Sequence, residues 1–304
     1  MSRTASTDFC SRPESTPEAI TKPVGVGLRH QHYRDALCET SAVDFVELHS
    51  ENFFAQGGIT RSMLEAIAEL YPISLHGTAM GLGSAIGIDQ GYLEKLKHLV
   101  HDVKPFLISD HASFAWSRLN NRMIHAGDLL PLPFTDDALK YLINNVKHVQ
   151  DEIGQRILVE NLASYVQFDQ NSMTETEFLS ELVSQTDCGL LLDLNNLLVN
   201  AHNFPSQDGD VTPLAAAQQW LQEIPETSVG EIHLAGYRLP ANGNFIVDDH
   251  SQPINEECWS LYRYALERFG PQTTLIEWDN NLPDWQVLTA EAQKARQLIH
   301  QHSH

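Results

Sequence analysis

The sequence predicts an α/β fold, a single-domain (β/α)8 barrel of the TIM type, and three observations carry that prediction. From Val24 onward, short apolar runs alternate with longer amphipathic ones, the pattern of repeated βα units. Eight such runs occur, the number that closes a barrel. Polar residues able to bind a metal or move a proton stand where these runs end, as they do at the carboxyl face of a barrel, where active sites lie. A doubly wound open sheet is the alternative, but the first βα turn has no GxGxxG, because Gly25 and Gly27 fall inside the first run.

Residues 1–22 are rich in Ser, Thr and Pro and are expected to form a flexible tail, leaving residues 23–304 as the barrel domain. The expected strands are Val24–Leu28, Asp44–Leu48, Ile73–His76, Phe106–Ser109, Arg156–Glu160, Gly189–Asp193, Val229–Leu234 and Thr274–Glu277. Helical periodicity marks Arg61–Leu70, Tyr92–Lys104, Asp136–Ile153, Glu175–Thr186, Pro213–Glu223, Glu256–Phe269 and a last stretch near Trp285–His300. The glycines of His76–Gly87 lack the Lys-Ser/Thr ending of a phosphate loop and suggest a flexible loop over the mouth. Ser113, Phe114 and Trp116 form either an apolar wall for a substrate or ordinary loop packing.

Composition narrows the function. A formal charge of −21 argues against nucleic acid as a partner, because a basic face is needed to meet phosphates. No apolar run approaches the roughly 20 residues that cross a bilayer, and the amino terminus lacks a basic segment followed by an apolar one. No membrane association is expected, and the expected location is the cytoplasm. Cys10, Cys38, Cys188 and Cys258 show no CxxC spacing and fit a reducing compartment better than a disulfide framework. No lysine stands at an expected strand end and no GxSxG elbow is present, which disfavours Schiff-base and serine-nucleophile chemistry.

The strand ends carry the strongest signal. In chain order they supply Arg29 and His30; Glu47, His49, Glu51 and Asn52; His76; Asp110 and His111; Glu160 and Asn161; Asp193, Asn195 and nearby His202; Glu231 and His233; Glu277 and Asp279. Each taken alone reads as a cap or a turn, and Asp193 with its asparagines reads equally well as the start of a helix. Their accumulation at one end of eight strands points to metal. Imidazole and carboxylate without thiolate suit iron, manganese or zinc, and so many donors suit a cluster of ions with a bridging carboxylate better than a single ion. The segment Ile246–Pro253 adds Asp248 and His250, which an extended loop can present on one side.

The ordered series HSENFF at His49, SLHG at His76, SDHASF at Asp110, VENLASY at Glu160, LLDLNNLLVNAHN at Asp193, EIHLAGY at His233, VDDH at Asp248 and IEWD at Glu277 resembles the multinuclear non-heme iron-dependent oxidative enzymes. That family includes the oxidase of methanobactin biosynthesis, and the resemblance runs from Val24 to about Ile299. It implies a TIM barrel holding two or three irons in mixed Fe(II)/Fe(III) states, with dioxygen as co-substrate. The implied substrate is a cysteine-containing, ribosomally made precursor peptide, converted to a thioamide- or azole-type product. A separate leader-recognition protein is implied as a heterodimer partner. Carried over motif by motif, His49, His76 and Glu160 would hold one iron, with Glu160 bridging. Asp193, His233 and Glu277 would hold the next, with Asn195, His202, Asp248 and His250 completing it and a third. Asp110 and His111 would orient ligands or transfer protons.

Two other functions fit the same residues. A divalent-metal sugar isomerase or endonuclease-like barrel also places His, Asp and Glu at its strand ends and would be indifferent to air. A non-catalytic metal- and peptide-binding protein would leave the peptide's mass unchanged.

Overall fold

The computed structural model describes residues 22–205, 211–238 and 245–302. The expected tail falls outside these, apart from Lys22. Among the described residues the strands are β1 (Val24–Gly27), β2 (Phe45–His49), β3 (Ile73–Gly77), β4 (Leu107–His111), β5 (Ser113–Leu119), β6 (Arg122–Pro131), β7 (Leu158–Glu160), β8 (Gly189–Asp193), β9 (Val229–Leu234) and β10 (Thr273–Ile276). Eight of them close a parallel barrel in the order β1-β2-β3-β4-β7-β8-β9-β10, as the periodicity predicts, while β5 and β6 form an antiparallel hairpin outside it. The expected barrel strands lie within two residues of the observed ones at either end. The helices are α1 (Tyr33–Cys38), α2 (Ile59–Ala68), α3 (Gln90–Val103), α4 (Asp136–Ile153), α5 (Glu175–Thr186), α6 (Leu194–Asn203), α7 (Pro213–Glu223), α8 (Glu256–Phe269) and α9 (Trp285–His302).

Local chemistry sets these boundaries. The side chains of Asp89, Thr135, Thr174, Asp193, Thr212 and Asn255 each accept a backbone N–H in the first turn of the helix that follows, satisfying donors the helix itself leaves free. Outward-facing strand residues such as Val24, Val26, Leu75, Leu190 and Leu192 are wholly buried beneath the helices. Each such side chain contributes about 1.5–3 kcal/mol on burial. Trp259 and Tyr262 of α8 and Trp285 of α9 are among the largest fully buried side chains. No helix among the described residues is long and apolar enough to cross a membrane.

Three features depart from expectation or decide between two readings. Asn120 and Asn121, at φ 50° and 60°, form the two-residue loop joining β5 to β6, the positive-φ geometry that favours a twisted hairpin. Helix α6 forms although asparagine is a poor helix former, because Asp193 caps it and Leu194, Leu197 and Leu198 bury one side. The glycine-rich segment expected to be a flexible loop is instead pinned, with residues 81–84 buried. Asn145 Nδ2 donates to the carbonyls of Leu82 (2.7 Å) and Ser84 (3.0 Å), and Ser84 Oγ accepts from the backbone of Ala115 and Trp116.

Gly236, just beyond β9, is required by close approach: a Cβ there would overlap the carbonyl oxygens of Gln252 and Pro253. Those carbonyls belong to the segment that carries His250. Gly236→Ala is expected to cost about 1–3 kcal/mol by overpacking and to displace that segment, a loss that thermal melting of the metal-free protein would register. A melting temperature equal to the parent's would show that the segment yields freely.

Candidate metal centre

Alternation along the strands decides which side chains meet inside the barrel. His76 on β3 pairs in register with Ser109 on β4, so His111, two residues on, faces the interior beside Glu160 of β7. His111 Nδ1 donates to the Gly77 carbonyl (3.2 Å) and His76 Nδ1 meets Ser109 Oγ (2.8 Å). Each ring therefore presents Nε2 to Glu160 Oε2, at 3.2 Å from His111 and 3.4 Å from His76. Burial, with the neighbouring imidazoles, holds both rings neutral, His76 well below the usual range and His111 at about 4. A neutral imidazole fixed through its far nitrogen is the form that binds a metal.

Glu160 is shared with a second set, Asp193, His233 and Glu277, whose ligand atoms all lie within 4.8 Å of one another. Asp193 does two things at once: Oδ1 caps α6 by accepting from Asn196 N (2.7 Å), while the buried Oδ2 has no hydrogen-bond partner and lies 3.6 Å from His250 Nε2. Asn161 holds that corner by accepting from the Asp193 N–H and donating to its carbonyl. His250 bridges outward, with Nε2 2.7 Å from Asp248 Oδ1 and Nδ1 3.3 Å from Glu277 Oε2. Asn195 Nδ2 donates to the same Asp248 oxygen (2.7 Å), which leaves Asn195 Oδ1 buried and unpartnered. His49 sits in a further set with Glu277 and Asp279, 2.8 Å from the Arg29 guanidinium that also binds Asp279.

The structure redistributes the expected roles. His111, expected to assist, lies with His76 and Glu160, in the place foreseen for His49. Asp110 does not join it. Because β4 continues to His111, consecutive residues point to opposite faces, and Asp110 is turned out of the barrel. There burial, with the Glu51 carboxylate, holds it well above the usual carboxylate range. His202 is also elsewhere, at the end of α6, 2.8 Å from Glu257 and 3.1 Å from the Tyr237 hydroxyl. His202→Asn is therefore expected to leave metal content unchanged by plasma mass spectrometry; loss of a full equivalent would return His202 to the ligand set.

The cavity these groups line measures about 140 Å3, with Leu129 and Leu162 at its wall. Its chemistry fits metal ions. Glu160 Oε2, Asp193 Oδ2 and Asn195 Oδ1 are all buried without a hydrogen-bond partner. Such a set of lone pairs is costly unless a cation or proton joins it.

From residue 23 to 300 the chain matches the family described as RiPP precursor modification enzyme MbnB/TglH/ChrH. It belongs to that family. A UPF0276 protein of Chromobacterium violaceum is 45% identical over 90% of this chain and 94% of its own length. D-psicose 3-epimerase from Clostridium cellulolyticum (13% identity, TM-score 0.55) and endonuclease IV from Thermus thermophilus (14%, 0.53) share the barrel. Each covers 92% of this chain over 99% of its own, and at such identity the likeness is one of fold alone. A RiPP precursor modification enzyme acts on a peptide, so an enzyme with a peptide substrate is the level at which the family fixes function.

In this MbnB/TglH/ChrH member three neighbouring groups lay outside the expected ligands: Glu47, Glu231 and Asp279. Glu47 and Glu231 form a buried set with His233 at the barrel's interior. The signal was present as Glu47-x-His49, Glu231-x-His233 and Glu277-x-Asp279, since a spacing of two puts both members on one face of an extended chain.

Proposed function

We propose that this protein is a multinuclear iron enzyme that uses dioxygen to oxidise cysteine in a ribosomally made precursor peptide, toward a thioamide- or azole-type product. The observation that supports it most is Glu160, whose carboxylate belongs to both the His76–His111 and the Asp193–His233–Glu277 donor sets. His76 and His111 with Glu160 would hold one iron, and Asp193, His233 and Glu277 a second. Asn195, Asp248 and His250 would hold a third, with His49 and Asp279 at the rim. When bound, mixed Fe(II)/Fe(III) ions would supply Lewis acidity toward the substrate thiol and a route for its electrons to dioxygen.

The protein's own residues set the conditions. Arg29, buried beside Asp279 and 3.8 Å from Glu277, helps His250 hold Asp279 ionised, while His250 and His233 hold Glu277 well below the usual carboxylate range. Leu129 and Leu162 give the cavity an apolar stretch of wall. Gly77 and Ser109 fix the ring orientation of His111 and His76. A separate leader-recognition protein would complete the system as a heterodimer.

The test is metal content of anaerobically purified protein, with Mössbauer spectra before and after air, followed by incubation with a cysteine-bearing precursor. Two or three irons per chain, oxygen uptake and a change in peptide mass are expected. Zinc or manganese alone, with no oxygen uptake after iron reconstitution, would move the protein to the isomerase-like class. Metal and peptide binding at unchanged peptide mass would make it a binding protein.

A further inference from the structure

Beside the metal cavity lies a second and larger one, about 360 Å3 against about 140 Å3. The same three segments line both. Leu129, Leu162 and Asn196 face the smaller cavity, while Pro131, Ser164 and Asn200 face the larger. Two residues of extended backbone span about 6.6 Å and four residues of helix about 6 Å. Along β6 and α6 the residues that line the larger cavity therefore stand about 6–7 Å from those that line the metal cavity, the distance between side chains on one face of an extended peptide.

Much of this cavity's wall is apolar. Phe134, Phe168, Phe204, Leu132 and Val166 line it. Its more buried polar side chains already have partners: Asn200 donates to the Leu162 carbonyl and accepts from Ser164 N, Asn171 accepts from Phe134 N, and Glu175 accepts from Trp220 Nε1, while Gln167 and Asp169 stand at its exposed side. An apolar occupant leaves those bonds intact, whereas a polar one would be desolvated without return.

We propose that this cavity is a specificity subsite that receives a large apolar or aromatic side chain of the precursor peptide, two residues from the cysteine held at the metal centre. The placement rests on the peptide-cysteine chemistry proposed above, so binding and turnover are measured separately. Synthetic nonapeptides with one central cysteine, carrying Ala or Phe two positions before or after it, are titrated calorimetrically into iron-loaded protein without oxygen and then exposed to air. Phe at one of the two positions is expected to tighten binding about tenfold over the all-Ala peptide. Val166→Trp, which fills the cavity from its half-exposed edge, should abolish that preference. Phe168→Ala, which widens the cavity, should reduce the preference and decides the matter if the tryptophan variant does not fold. Absence of a preference at both positions, or a preference that survives both variants, overturns the subsite. Cavity-dependent binding without cysteine oxidation keeps the subsite and overturns the oxidase; oxidation of every peptide without preference does the reverse.

Discussion

Glu160→Gln is expected to abolish turnover and to lower metal content by at least one equivalent per chain, while leaving the metal-free fold intact. The carboxylate is 1% exposed and its Oε2 lies within 3.4 Å of two imidazole nitrogens, so its charge is built into the centre rather than standing at the rim. Glutamine keeps the shape but offers one carbonyl oxygen and no charge, and its NH2 turns a donor toward the site. The loss should exceed the about 10–100-fold typical of groups that merely orient ligands. Metal-free stability should be equal or higher, because burial already holds the Glu160 carboxyl well above the usual carboxylate range and a neutral amide avoids that penalty. Plasma mass spectrometry, oxygen uptake and melting of the metal-free protein separate the cases. Full metal with full turnover would remove Glu160 from the centre, and a large fall in metal-free melting temperature would make its role structural.

The barrel was legible because its signals are periodic and local. Buried parallel strands read as short apolar runs, and the eight runs survive small boundary errors. The site was legible as a set for the same reason, since most of its donors stand at strand ends. Its division was less legible, because that depends on which way each side chain turns. Placing the end of β4 at Ser109 put Asp110 and His111 in a loop, where both could face the mouth; two more residues of strand send one in and the other out. His202 illustrates a different limit. It follows Asp193 closely in sequence, but nine residues of helix carry it about 13 Å along the axis, to Glu257 and Tyr237. The hairpin was missed although Asn120-Asn121 announces it, because the flanking residues were weighed as packing rather than as paired strands.

Metal-free protein should lose stability as pH rises from about 6.5 to 8.5, and metal-loaded protein should not. Burial raises the carboxyl of Asp193 to about 7 and that of Glu231 to about 8, the latter with help from Glu47. Burial pulls His233 and His250 down, but the carboxylates around them win, Glu47 and Glu277 for the first and Asp248 and Glu277 for the second, so both rings titrate above the usual range. In all four the folded pKa exceeds the unfolded one, so the native state holds more protons across this window and stability falls as pH rises through the folded values. His76 and His111 act in the opposite sense, since their lowered values make stability rise with pH, but only below the ordinary histidine range, near 6.5. Above it the raised groups act unopposed. A bound cation displaces those protons, so its affinity strengthens over the same interval and offsets the loss. At a free metal concentration about 1,000 times Kd the gain is about 4 kcal/mol, several degrees of melting temperature for a chain of this size. Melting curves with and without iron at pH 6.5, 7.5 and 8.5, taken anaerobically, should therefore diverge as pH rises. Parallel curves would mean that the unpartnered oxygens of Glu160 and Asp193 are neutralised by something other than metal.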